Sequence, residues 1–140
     1  VPGRHAPPAP VRAACKPPVL APFPGAGAEL PVDRPRTAIA PLKGKGEVWL
    51  SCMRTAHGLG LESTATFMMG TGETNAERIE HLRMIRDVQD STGGFRSIIP
   101  WTYQPDNNHI RDPDQATSHE YLSMEAETSM LFNDVNNTHG

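Results

Sequence analysis

Ser63-Thr-Ala-Thr-Phe-Met-Met69, followed at once by Gly70-Thr-Gly-Glu73, is the stretch that decides the fold. A short run of threonine and large apolar residues closed by glycines predicts a strand running into a tight turn. Thr74-x-x-Glu77 comes next, with the spacing of a capping box, in which the hydroxyl accepts from a free amide and the carboxylate reaches back. A helix is therefore expected to start at Thr74. Its apolar line is Ile79, Leu82, Ile85 and Val88, and Gly93-Gly94 ends it. A second apolar run, Phe95 to Trp101, predicts a second strand that ends at Thr102-Tyr-Gln-Pro-Asp-Asn107. Strand, helix, strand of this length is one βαβ unit with parallel strands. Ligands in such folds sit where strands end and loops begin, so Gly70 to Glu73 and Thr102 to Asn107 are expected on one functional face.

Upstream, Glu47 to His57 carries Trp49, Cys52, Met53 and Ala56 at helical spacing, predicting a helix that buries the Cys52 thiol and ends at Gly58 or Gly60 in a left-handed turn. The strand from Thr64 to Met69 shows little alternation, as expected if both of its faces are covered. Downstream, Thr117-x-x-Glu120 is a second capping box, predicting a helix with Tyr121, Leu122, Met124 and Met130 to Phe132 on its apolar side. Glu125 and Glu127 interrupt that pattern, and Asn133 to Gly140 is polar, so residues 133–140 are expected to fray. Eleven of the fourteen prolines lie between Pro2 and Pro41, and residues 1–22 have neither a strand nor a helix period. They read as a disordered, proline-rich leader, and residues 23–140 as one α/β domain.

A chain of 140 residues can hold one modest core but not a whole eight-stranded barrel of roughly 250 residues. A net charge of -3 gives no reason to expect nucleic acid, although residues 1–46 hold seven Lys or Arg against Glu29 and Asp33 only. Two cysteines, Cys15 and Cys52, are too few for a four-cysteine zinc site or a three-cysteine cluster motif. No run approaches the roughly 18 apolar residues of a membrane span, and a soluble, cytoplasmic protein is expected.

Gly70 to Glu73, lying between a strand and a helix N-terminus, offers amides that could hold an anion or a polar nucleoside group, or it is a structural turn. It matches neither the phosphate-loop nor the dinucleotide pattern. His57 and His81 read as surface histidines facing charged neighbours, and no histidine pair has the spacing of a helical metal site. Trp101, Tyr103 and Gln104, at a strand's C-terminal end, could stack on and hydrogen-bond a heterocycle.

A family resemblance is carried by Pro24-Gly-Ala-Gly-Ala-Glu29 with Asp33-Arg34, Met53-Arg-Thr-Ala-His57, Gly60-Leu-Glu-Ser-Thr-Ala-Thr66, Glu80-His-Leu82, Gln89-Asp-x-Thr-Gly-Gly-Phe95 and Ile99-Pro-Trp-Thr-Tyr-Gln-Pro105. Together they resemble the radical S-adenosylmethionine enzymes of the futalosine route to menaquinone. Ile99 to Pro105 with Asn107, and Asp114 to Leu122, are most similar to the branch that cyclises dehypoxanthine futalosine, with the aminofutalosine synthase and deazaflavin F0 synthase branches as the alternative. The resemblance implies a partial (βα) barrel of about three units. It also implies a 5'-deoxyadenosyl radical made from S-adenosylmethionine at a 4Fe-4S cluster, and an external electron donor. Carried over by position, it places Glu29, Thr66, Met68, Gly70 and Glu73 at the cofactor, and Trp101, Gln104 and Asn107 at the substrate. The family's Cys-x3-Cys-x2-Cys cluster motif is absent from these 140 residues, so no cluster is expected on this chain, which is expected to be inactive alone. Exposed strand edges would favour self-association. A non-catalytic nucleoside-binding module, or an interaction module docking through the basic leader, remain the readings from other classes.

Overall fold

The computed structural model describes residues 31–104 and 116–135. Over them the order is α1 (Asp33–Ile39), α2 (Gly46–Gly58), β1 (Ser63–Met69), α3 (Asn75–Thr92), β2 (Phe95–Thr102) and α4 (Ser118–Leu131). Strands β1 and β2 form a two-stranded parallel sheet, with Ala65 opposite Ile98, Thr66 opposite Ile99, Phe67 opposite Pro100 and Met68 opposite Trp101. The βαβ unit expected from the sequence is therefore present. The proline-rich leader, Glu29, Asn107 and residues 136–140 lie outside the described residues.

Both capping boxes form. Thr74 Oγ1 accepts from the Glu77 amide while Glu77 reaches back to the Thr74 amide, and Thr117 and Glu120 repeat the arrangement at the start of α4. Gly93 closes α3 in the left-handed region at φ 62°, its amide donating to Gln89 O. At the end of α2 the left-handed residue is Gly60, at φ 82°, whereas Gly58 is the last helical residue.

Helix α1 was not expected from the sequence, because its seven residues sit inside the proline-rich region. Pro35 is tolerated since first-turn amides have no acceptor within the helix. Asp33 Oδ1 accepts from the Gly46 amide at 3.1 Å, tying α1 to the start of α2.

The core comprises Trp49, Leu50 and Met53 from α2, Ala65, Phe67 and Met69 from β1, Leu82, Ile85 and Val88 from α3, Phe95 and Ile98 from β2, and Met124, Phe132 and Val135 at the C-terminal end. Burial in β1 alternates, with Ser63, Ala65, Phe67 and Met69 buried and Thr64, Thr66 and Met68 half-buried. The expected cover on both faces is thus replaced by one face packed on helices and one partly open.

Several side chains face otherwise than the spacing suggests. Cys52 is exposed. The buried arc of α2 runs through Trp49, Leu50, Met53, Ala56 and His57, and Cys52, the neighbour of Met53, stands about 100° round the helix from it. Ile79 is 44% exposed because the buried arc of α3 is His81, Leu82, Ile85, Val88 and Gln89. On α4, Met124 and Thr128 are buried, while Leu122 and Met130 face outward.

The two helix histidines are corrections as well. His57 is buried, with Nδ1 2.7 Å from Thr92 Oγ1 and Nε2 2.7 Å from Ser63 Oγ, so it pins the end of α3 to the start of β1. Burial lowers its pKa. His81 is fully buried, its ring 4.4 Å from that of Phe67, and neither nitrogen has a hydrogen-bond partner among the described residues. Burial, with a smaller contribution from Arg36, holds its pKa well below the ordinary value of 6.5. The unfolded chain takes up a proton near that ordinary value and the folded chain does not, so the stability the neutral form provides is lost as pH falls below it. We expect His81→Leu to raise the melting temperature, because it removes two unsatisfied buried nitrogens. It should also flatten the decline in melting temperature between pH 7 and 5, which a thermal melt series checks. An unchanged pH profile would mean that the imidazole finds a proton partner.

Candidate functional site

The C-terminal ends of β1 and β2 lie side by side, joined beyond the last ladder pair by Tyr103 N donating to Met69 O at 2.8 Å. Above β1 the chain turns through Gly70, at φ 87°, and Gly72, at φ 85°. Side chains with a Cβ rarely adopt these values, so the glycines make the turn possible.

Glu73 points back into that turn. Its Oε1 accepts from Gly70 N at 2.9 Å, and its Oε2 accepts from Thr71 N at 2.7 Å and Thr71 Oγ1 at 2.8 Å. Arg78 Nε donates to Oε1 at 2.8 Å, and the Glu73 side chain is fully shielded from solvent. Burial pushes the carboxyl pKa up, but the Gly70 and Thr71 donors outweigh it and the net shift is downward. The Gly70 and Thr71 amides, which the sequence offered to an external anion, are engaged by the chain's own carboxylate.

Two arginines brace it from outside. Arg34, on α1, forks onto both oxygens of Glu77 and donates to Gly72 O at 3.1 Å. The Arg34 hydrogen bond is the main cause that lowers the Glu77 pKa to about 2. Arg78, on α3, spans from Glu73 to Glu120 Oε1, 3.5 Å away on α4. The sequence reading assigned no role to either arginine. The signal was present in their placement, one residue after Asp33 and one after the capping Glu77.

Of the proposed site residues, Thr66, Met68 and Trp101 share the partly open face of the sheet, since Thr66 pairs with Ile99 and Met68 with Trp101 in register. Trp101 is 48% exposed. The Thr66 hydroxyl is buried there without a hydrogen-bond partner among the described residues. Gly70 and Glu73 stand at the rim above them. Gln104 is exposed beside β2, and its amide donates to Thr102 Oγ1 at 3.3 Å. Glu29 and Asn107 lie outside the described residues, and among those residues no group of three or more His, Cys, Asp or Glu could hold a metal ion.

No family model matches the sequence. Over 118 residues, 84% of this chain, it is 64% identical to the cyclic dehypoxanthine futalosine synthase of Streptomyces coelicolor. The chain is a homologue of the cyclic dehypoxanthine futalosine synthases. The Halalkalibacterium halodurans synthase is 33% identical over 115 residues, 82% of this chain, and the aminodeoxyfutalosine synthase of Thermus thermophilus is 47% identical over 88 residues, 63% of this chain. The chain spans 30% and 31% of the length of the two cyclic dehypoxanthine futalosine synthases and 24% of the aminodeoxyfutalosine synthase. No described helix is long and apolar enough to cross a membrane.

Proposed function

We propose that these residues form one sector of a (βα) barrel of the radical S-adenosylmethionine type, in an enzyme that cyclises dehypoxanthine futalosine in cytoplasmic menaquinone biosynthesis. The single observation that carries the reading is the 64% identity to a cyclic dehypoxanthine futalosine synthase across 118 residues. The shape of the sheet supports it. Helices cover the Ala65, Phe67 and Met69 face, and the opposite face bears Thr66, Met68 and Trp101, as a sector whose second face looks into a barrel would.

The Thr66 hydroxyl, buried and without a hydrogen-bond partner among the described residues, suits a polar edge of a nucleoside, and the Met68 side chain suits its flat apolar surface. In this reading Thr66 and Met68 hold S-adenosylmethionine together with Gly70, whose lack of a Cβ lets a ligand approach the backbone, and with Glu29. Trp101, Gln104 and Asn107 face the substrate. Glu73 acts indirectly, fixing the turn. When bound and reduced, S-adenosylmethionine supplies the 5'-deoxyadenosyl radical that starts the cyclisation. A 4Fe-4S cluster does not fit these residues, because such clusters are held by cysteine thiolates and the sequence has only Cys15 and Cys52. The 140 residues alone are accordingly inactive, need the remaining strands and an electron donor, and tend to self-associate through their open strand edges.

The test is a chimera in which the 118 matching residues replace their counterparts in the Streptomyces coelicolor enzyme. It should convert dehypoxanthine futalosine to the cyclic product. Thr66→Val in the chimera should weaken S-adenosylmethionine binding about tenfold, the effect of one lost charge-free hydrogen bond of about 1.4 kcal/mol. A chimera that folds, carries its cluster and forms no cyclic product overturns the proposal.

A further inference from the structure

We propose that Arg78 is a positioning residue that couples the turn above β1 to the start of α4, so that the two sides of the rim keep a fixed relation to each other. The guanidinium lies between three groups. Its Nε meets Glu73 Oε1 at 2.8 Å, and its Nη1 lies 3.4 Å from Asn75 Oδ1 and 3.5 Å from Glu120 Oε1. The Arg78 side chain is 11% exposed and that of Glu73 is not exposed, so solvent screens their contact little.

Each carboxylate it meets already organises backbone. Glu73 holds the Gly70 and Thr71 amides, and Glu120 Oε2 accepts from Thr117 N at 2.8 Å and Thr117 Oγ1 at 2.9 Å. A displacement of α4 thus reaches the turn through one rigid planar group. The pattern has a precedent in the same molecule. Arg34 of α1 grips Glu77, the capping acid of α3, as Arg78 of α3 reaches Glu120, the capping acid of α4. In both cases an arginine on one helix meets the capping acid of a later one, and the same arginine also touches the Gly70 to Glu73 turn, Arg34 at Gly72 O and Arg78 at Glu73.

The inference rests on the proposed function only for what the rim binds. If the turn carries cofactor and the C-terminal end of β2, against which α4 packs, carries substrate, Arg78 sets one against the other. A lysine keeps the charge but lacks the fork, and a single ammonium does not hold two carboxylates in a fixed plane. Arg78→Lys therefore separates charge from bridging.

The experiment measures amide hydrogen exchange in the full chain without added nucleoside, for wild type, Glu120→Gln, Arg78→Lys and the double variant. Glutamine serves in a capping box as glutamate does, so Glu120→Gln keeps α4 capped and removes only the charge that meets Arg78. It should speed exchange at Gly70 and Thr71 about threefold or more while leaving Ile85 and Val88 in mid-α3 unchanged. In the Arg78→Lys background the same change should have no further effect on the turn, since the bridge is already absent. Equal effects of Glu120→Gln in both backgrounds, or none in wild type, overturn the coupling. Because no nucleoside is present, failure of the coupling is distinct from failure of the chimera to cyclise.

Discussion

Glu73→Ala is expected to cost about 3–5 kcal/mol, the range for removing one partner of a buried ion pair. Against a total stability of about 5–15 kcal/mol, that change takes a large share of the fold. The reason is the number of donors left behind. The Gly70 amide, the Thr71 amide and hydroxyl, and the Arg78 guanidinium all converge on this one carboxylate. Water cannot reach them without opening the turn, because Gly70 and Thr71 are themselves buried. Glu73→Gln should cost less, since its carbonyl oxygen still accepts from one amide, but its NH2 group then faces a donor. Urea unfolding of the three chains checks the order, wild type above Gln above Ala. A midpoint for the alanine variant equal to that of wild type would show that the turn holds without its carboxylate.

The second large effect is expected at Gly94, where the cause is steric. A Cβ there would lie 2.1 Å from Cγ of His57, well inside contact distance. The ring has nowhere to go. Both of its nitrogens are held, by Thr92 and Ser63, the Phe95 ring meets it edge-on at 4.7 Å, and Ser63 N donates to Gly94 O at 2.9 Å, fixing the backbone on the other side. Gly94→Ala should therefore destabilise by about 3 kcal/mol, at the upper end of overpacking costs. Pairing it with His57→Ala makes the test specific. With the ring removed, the added methyl enters the space it vacates, so the double variant should be more stable than the sum of the two single effects predicts. Strict additivity in thermal or urea unfolding would refute the clash.

What the sequence disclosed, and what it did not, follows from how far each interaction reaches along the chain. The two Thr-x-x-Glu boxes and the helix stop at Gly93 rest on neighbours within a few residues, and the parallel strands on the length of the strand, helix, strand pattern, and these were legible. The helix faces were legible to within about one residue's rotation, which is why Cys52 and Ile79 were assigned to the buried side and lie off it. The histidines failed for a different reason. His57 is fixed by Ser63 and Thr92, which only the completed βαβ unit brings together, so no local pattern distinguishes it from a surface residue. For Glu73, the inward direction depends on the positive φ of Gly70 and Gly72, and the glycines were noticed without that consequence. The family resemblance ran further than spacing could, and the identity to the cyclic dehypoxanthine futalosine synthases agrees with it.

The turn that Glu73 holds also carries a kinetic consequence. Its amides, hydroxyl and carboxylate satisfy one another within the chain, so its shape does not wait for a visitor. A small molecule docking on such a rim loses none of its affinity to ordering the loop. Stopped-flow traces of the encounter should then be single exponentials whose rate climbs in proportion to ligand concentration, without the plateau that a slow rearrangement imposes.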